Sequence, residues 1–167
     1  NFGAGPSHAH IAAHMLLSAA GLQATAVTYK GPVQAIADVM GGRVQFTFET
    51  PSGTAAQRAS GALRALAGTS AKPSATLPGL PVMAQYVPGF EYNAWIGVFA
   101  PAGLPADVRS RLESTIQQVL RQPEVEQRLS ALGFDVDPRG GEALATTVRE
   151  DIPRLRRIIQ DAGLSAE

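Results

Sequence analysis

The fold is decided by residues 27–49, which read VTYKGPVQAIADVMGGRVQFTFE. A strand pattern at 24–29 ends here, and Pro32 then stands where helices begin, followed by apolar residues at helical spacing. Gly41-Gly42 predicts the end of that helix. Residues 44–49 alternate between apolar and polar side chains, which is typical of a strand. The stretch therefore predicts a strand, a helix and a second strand in succession.

The residues on both sides of this stretch extend the alternation. Residues 8–20 suit a helix, with Ser7 as its N-cap and Gly21 as its C-terminal stop. A short helix from about 54 to 60 and a strand at 63–67 follow. Strands and helices in alternation predict an α/β fold with a mainly parallel sheet.

The second half of the chain opens with a long loop at 70–89 that proline and glycine interrupt, with room for one short helix near Val82–Tyr86. After it the sequence predicts one strand and three helices: a strand at 91–99, and helices that begin at Pro105, span 125–132 and span 142–162. Pro153 should kink or split the last helix. Arg154, Arg156 and Arg157 are expected on its solvated side, and Trp95 is expected either to line a cleft or to fill the core.

The composition excludes several classes of function. Fourteen basic residues balance fourteen acidic ones, so no net charge attracts the chain to nucleic acid or to an anionic membrane. The chain has no cysteine, which excludes disulfides, thiolate metal sites and cysteine nucleophiles. No apolar run approaches the roughly 20 residues of a membrane span. The absence of a visible signal peptide and a start at Asn1 indicate the interior of a longer protein.

The carboxyl ends of the strands are the expected place for a ligand, because ligands of open α/β sheets bind there. Lys30 could pair with an anion and Gly31 could present its N–H, although a solvated lysine at a turn explains Lys30 as well. Glu49 could accept a hydrogen bond from a ligand or cap a neighbouring helix. Ser52 could contact a ligand, and it could equally well be a plain N-cap.

The segment GAGPSH opens the first helix and could hold a carboxylate or phosphate on free N–H groups, although an ordinary capped helix explains it too. His8 lies at the start of that helix and is the histidine expected to meet a ligand. His10 and His14 share a helix face but lack a third ligand, so no metal site is expected. No catalytic residue is expected either, because the G-x-S-x-G elbow of esterases is absent and no histidine–carboxylate pair can be assigned to Ser7.

Several stretches, in order, resemble motifs of the Bug/TctC family, the solute receptors of tripartite tricarboxylate transport. GAGPSHAHIAAHML is similar to the family's G-S-G-x-x-S-H-L-A-x-E-x-F stretch, and residues 27–49 to V-P-Y-K-G-x-x-P-A-x-x-D-L-x-G-G-x-V-D-x-x-F-D. GALRALAGTSAKPSATLPGLPVMAQ, WIGVFAPAGLPADVRSRL and PEVEQRLSALGFD follow in the family's order. The chain departs from the pattern at Thr28, where proline is usual, and at Gln45 and Glu49, where aspartate is usual.

The resemblance implies a type II periplasmic-binding-protein fold, with residues 1–96 as ligand-binding lobe two and residues 97–167 as the segment that returns to lobe one. It implies a non-catalytic periplasmic protein without cofactor, which captures a small carboxylate or related metabolite and delivers it to a membrane permease. Closure by a hinge near residues 90–100 would accompany binding. The ligand contacts expected on these grounds are Ser7, His8, Tyr29, Lys30, Gly31, Glu49 and Thr50.

A rival hypothesis starts from the sheet of the first lobe, which the resemblance implies is largely missing from this stretch of sequence. The apolar face that its absence exposes could pair with other chains. The chain would then be an interaction or assembly module that binds no ligand and forms homo-oligomers.

Overall fold

The computed structural model describes residues 1–5 and 7–163 of the chain. Three short strands form one sheet: β1 (Phe2–Ala4), β2 (Ala26–Thr28) and β3 (Phe46–Thr47). Six α-helices are described: α1 (Ser7–Ala20), α2 (Pro32–Met40), α3 (Ala55–Ala59), α4 (Ala106–Leu120), α5 (Pro123–Ala131) and α6 (Gly141–Asp161). A short 3-10 helix spans Met83–Gln85. None of the described helices is both long and apolar enough to cross a membrane.

The sheet is parallel, in the order β2-β1-β3, as the sequence predicts for its class. Gly3 of β1 lies between Val27 of β2 and Thr47 of β3 in the register. The chain runs from β1 outward to β2 and then crosses back to the other side of β1. The order of strands therefore reverses between β1 and β3, and ligands of such sheets bind at the carboxyl ends around this point.

The central strand β1 is buried on both faces. Phe2 and Ala4 face α1 and form a core cluster with Ala13 and Leu17, while the ring of Phe46 stacks on Phe2 with centroids 5.6 Å apart. On the other face Gly3 lets α2 approach, since a Cβ there would lie 3.2 Å from the Cβ of Ala35. The two helices thus pack on opposite faces of β1, and this packing positions the start of each helix relative to the strand.

Glycine ends α1 and α2 where the sequence predicts it. Gly21 has φ 63° and Gly42 has φ 71°, in the left-handed region that favours glycine. The amide of the residue after each glycine turns back to the helix: Leu22 N donates to Leu17 O, and Arg43 N to Asp38 O, both at 2.9 Å. These turns send the chain directly into the next strand.

Two predicted strands are wrong, and two others are shorter than predicted, one of them the 24–29 strand, which spans only Ala26–Thr28. Residues 63–67 form no strand, because Leu63 N donates to Gln57 O to close the turn after α3, and the only bridge nearby joins Gly68 to Val82. The 91–99 segment also forms no strand: its apolar side chains have no neighbouring strand in the described part of the chain, and Ile96 is 80% exposed. At 44–49 only Phe46–Thr47 pairs with β1.

The helices match the sequence more closely. The short helix near 54–60 is α3, the element near 82–86 is the 3-10 helix, and α4, α5 and α6 follow where they are expected. Pro153 does not split α6, which is continuous through it. Pro153 is exposed, so water can reach the carbonyl that it leaves without an amide partner. The division into residues 1–96 and 97–167 stays a prediction.

Candidate functional site

Two helices begin side by side at the carboxyl edge of the sheet. Gly5 follows β1, and a Cβ on it would lie 3.7 Å from Pro32 N and 3.9 Å from Gly31 C, at the start of α2. Gly31 is the N-cap of α2, with extended backbone and no side-chain cap. The start of α1, at Ser7, comes two residues after Gly5; Pro6 and the side chain of Ser7 lie outside the described residues. The partial positive ends of two helices therefore meet here, which favours an anion.

His8 is half-buried in the first turn of α1. Its Nε2 atom is buried and has no hydrogen-bond partner among the described residues. A buried nitrogen without a partner costs free energy, so it usually has one in the working state of a protein. This is the only such side-chain atom that the described part of the chain contains.

Tyr29 is held in place by a small polar network at the end of β2. Its amide donates to Ala4 O at 2.9 Å, and its hydroxyl donates to Asp38 Oδ2 at 2.7 Å. Asp38 Oδ1 in turn accepts from Arg43 Nη1 at 2.6 Å. The bond from Tyr29 and then the bond from Arg43 lower the pKa of Asp38. The hydroxyl hydrogen of Tyr29 is thus already committed, so any ligand contact must use another part of the residue.

Lys30 is exposed at the next position, and in the described residues no carboxylate lies within ion-pairing distance of it. Thr50, on the β3 side, is exposed as well. Its hydroxyl accepts from Gly53 N at 3.2 Å, which stabilises the turn that leads to α3. Lys30 is therefore free to meet an anion, whereas Thr50 already serves its own turn.

Glu49 lies at the same edge of the sheet, two residues after the end of β3, and is half-buried. Burial raises the pKa of Glu49, and the Thr47 hydroxyl, 3.5 Å from its Oε1, opposes that rise. The same hydroxyl lies closer to Gly3 O, at 2.9 Å, so its single hydrogen is better placed to stabilise β1 than Glu49. The structure thus brings Gly31, Lys30 and Glu49 to one edge with the start of α1, as the sequence predicts.

Asp38, Arg43 and Thr47 shape this edge, and sequence reasoning did not single them out. Asp38 lies in the second turn of α2, near its C-terminal end, where the sequence alone suggests an ordinary solvated charge. Tyr29 and Asp38 are nine residues apart, and no local periodicity pairs a strand end with a helix face at that distance. Thr47 could have been recognised only from its position opposite Gly3, and that position is known only once the strand register is known.

Trp95 and Arg154 form a second polar cluster that ties residues 91–95 to α6. Trp95 Nε1 donates to Asp151 Oδ2 at 2.8 Å, and Arg154 Nη2 donates to Asp151 Oδ1 at 2.6 Å. Arg154 Nη1 also donates to Glu91 O at 2.7 Å. The expectation that Arg154 is merely solvated is therefore wrong, and Trp95 lies at the surface of the segment rather than inside a core.

A cleft of about 720 Å³ lies at the opposite end of the sheet, between the last turns of α1 and α6. Its walls are mostly apolar and include Leu17, Leu22, Phe90 and Ile158. Its lining includes neither of the two helix starts nor His8, whose buried Nε2 has no partner among the described residues, so we place the candidate site at the carboxyl edge. The described residues contain no group of three side chains that could hold a metal ion.

The family described as the tripartite tricarboxylate transporter family receptor (TctC) matches residues 1–164. The chain belongs to this family. Among curated TctC relatives, a UPF0065 protein from the clcB-clcD intergenic region of Pseudomonas knackmussii is 33% identical over 152 residues, which are 90% of each chain. A UPF0065 protein from the tcbD-tcbE intergenic region of Pseudomonas sp. strain P51 is 31% identical over 94% of this chain and 47% of its own.

Solved structures of similar proteins confirm the predicted periplasmic-binding-protein fold. The R. palustris protein Rpa4515, solved with adipate, superposes with a TM-score of 0.81 at 27% identity, over 99% of this chain and 57% of its own. The periplasmic binding protein BugD superposes with a TM-score of 0.74 at 30% identity, over 99% of this chain and 58% of its own. The TctC-family chain spans just over half of these solved proteins and about half the length of most curated relatives.

Proposed function

We propose that this chain carries one lobe of a periplasmic solute-binding protein, with the C-terminal part of the other lobe, and that the protein captures a small carboxylate for a tripartite tricarboxylate transporter. The observation that carries the proposal is the contact between the starts of α1 and α2, which gathers two partial positive charges beside exposed Lys30. Membership of a receptor family and the adipate bound to the R. palustris neighbour support the same class of ligand. The permease of such a transporter would receive the ligand.

The proposed contacts differ in role. Amides at the start of α1, at Ser7 and His8, and Gly31 at the start of α2 would hold a carboxylate, and His8 Nε2 would find the partner that it lacks. Lys30 would supply the one mobile positive charge. Glu49, Thr50 and the ring or backbone of Tyr29 would border the rest of the ligand.

Binding would be the whole activity, with no catalysis and no cofactor. Closure of two lobes on the ligand would hinge near residues 90–100. Preferential binding to the closed state would drive that closure. Residues 91–95 are fastened to α6 through Arg154 and Trp95, so a hinge would have to lie beyond them or break these bonds.

Calorimetric titration of the 167-residue chain with mono- and dicarboxylates of three to six carbons tests the proposal. We expect saturable binding of at least one carboxylate, weakened about fivefold by Lys30→Ala, which corresponds to about 1 kcal/mol, the upper value for an exposed ion pair. Lys72→Ala is the matched control, because Lys72 is the chain's other lysine and is exposed in the 70–89 loop. Binding that is absent, or that falls equally with Lys72→Ala, would overturn the proposal.

A second candidate function, an assembly module that pairs with copies of itself, is favoured by the exposed surface. The chain exposes 11258 Å², against roughly 7,900 Å² for a compact monomer of its 17.4 kDa mass. Part of the excess is apolar, in the 96–99 segment and along α4, at Ile96, Val98, Phe99, Val108, Leu112 and Val119. Light scattering across a concentration series decides this: a stable dimer that ignores carboxylates supports the module, and a monomer at all concentrations excludes it.

A further inference from the structure

Glu49 is a half-buried carboxylate that the protein leaves without a cation. No Lys, Arg or His nitrogen in the described residues forms an ion pair with it, and the one hydrogen bond that its side chain makes within them is the long one from the Thr47 hydroxyl, at 3.5 Å. Charged groups that lose water usually gain a partner in return. Burial raises the pKa of Glu49, which is the mark of such an uncompensated group.

Glu49 leaves the sheet at the same edge as the two helix starts. The paired register ends with Gly3 opposite Thr47, and two residues further along the chain in each case come Gly5 and Glu49. Neighbouring strands lie about 4.8 Å apart. Gly5 in turn contacts the start of α2. One edge therefore combines a region that attracts an anion with an acceptor that repels one.

A ligand that satisfies both regions has a carboxylate at the helix starts and a hydrogen-bond donor toward Glu49. A plain diacid satisfies only the first, because a second carboxylate turned toward Glu49 would meet like charge at short range. A second carboxylate could instead reach the exposed Lys30. A plain diacid such as the adipate of the R. palustris neighbour has no hydroxyl or amine that could donate to Glu49 of this chain.

We propose that the site selects carboxylates that carry a hydroxyl or ammonium group near the carboxylate, and that Glu49 accepts the hydrogen bond from this group. The inference rests on the proposed function and narrows its ligand class. Glu49 is then a specificity-determining residue, whereas the helix starts give affinity for any carboxylate. The resemblance places aspartate at this position in the family, and the extra methylene of Glu49 moves the acceptor further from the strand end.

The test compares ligands of equal length by calorimetry at neutral pH: succinate, malate and aspartate, then glutarate, 2-hydroxyglutarate and glutamate. We expect the hydroxy or amino compound of at least one set to bind about tenfold or more tightly than the plain diacid, as for a hydrogen bond to a charged group. Glu49→Gln should weaken the amino compound about tenfold and leave the plain diacid equal or tighter. Glu126→Gln, at an exposed glutamate of α5, should change nothing.

The outcomes separate this inference from the proposed function. Plain diacids that bind as tightly as their hydroxy and amino counterparts overturn the selectivity and leave carboxylate capture intact. Binding of no carboxylate at all overturns both. The ligand comparison uses the unaltered chain, so it decides the question even where Glu49→Gln does not fold, and Glu49→Asp should retain the same order of ligands with weaker discrimination.

Discussion

Replacing Gly3 with valine should destabilise the protein, although strand propensity alone predicts the opposite. A Cβ on Gly3 would lie 3.2 Å from Ala35 Cβ, 3.4 Å from Val44 Cγ2 and 3.5 Å from Tyr29 Cε2. Ala35 is fully buried and Val44 is 2% exposed, so neither can move aside without shifting α2 or the turn after it. Valine adds two further methyl groups to this space. Overpacking of this kind costs about 1–3 kcal/mol, and the better strand propensity of valine offsets at most about 1 kcal/mol.

The net loss should appear as a fall of about 2–8 °C in Tm, since about 1 kcal/mol shifts Tm by roughly 2–4 °C at this chain length. Thermal unfolding followed by circular dichroism, together with urea unfolding for the free energy, measures it. Thr28→Val is the matched control: Thr28 is exposed on neighbouring β2, and the change should stay within about 0.5 kcal/mol. A Gly3→Val protein as stable as the original would refute the claim that α2 packs directly on β1.

Three further predictions concern the site and the C-terminal cluster. Glu49→Gln should raise Tm at pH 7 and lose this advantage as the pH falls. Burial raises the folded-state pKa of Glu49, so the cost of its charge grows as the pH rises from the unfolded-state pKa through the folded-state pKa and is absent at lower pH. Thermal unfolding at a series of pH values checks this, and an advantage that does not change with pH would contradict it. Gly5→Ala should keep the fold, because the added Cβ makes only ordinary contacts near Pro32. It should weaken carboxylate binding, measured by calorimetry, about tenfold, because the methyl group fills the space between the helix starts. An unchanged affinity would mean that the ligand binds elsewhere. Arg154→Ala should lower the free energy of unfolding by about 1 kcal/mol, because the protein loses the hydrogen bonds from Arg154 to Glu91 O and Asp151. Urea unfolding measures this free energy, and an unchanged value would contradict the prediction.

The helices and the edge that carries the site could be predicted because their signals are local. Pro32 and Gly42 mark the two ends of α2 by backbone conformation alone, and periodicity defines α4 without any partner. The parallel order of β1–β3 follows from the alternation of strands and helices. Gly31 and Glu49 then fall at one edge because parallel strands all end on the same side.

The strand at 91–99 could not be predicted correctly because a strand depends on its neighbour. Its apolar composition favours a strand, but without an adjacent strand in the described residues the segment stays unpaired, and Phe99 is 69% exposed. The polar networks were missed for a similar reason. The contact from Trp95 to Asp151 spans 56 residues, and only the packing of the segment on α6 brings these groups together.

The most direct test of the account is a two-dimensional NMR titration of the labelled chain with a carboxylate that binds in calorimetry. We predict that the amide shifts cluster at the carboxyl edge, at Gly5, Gly31 and Glu49, and that the cleft at the other end of the sheet stays unchanged. Shifts confined to Leu22 and Phe90, which line that cleft, would contradict the central claim that the ligand binds where α1 and α2 begin.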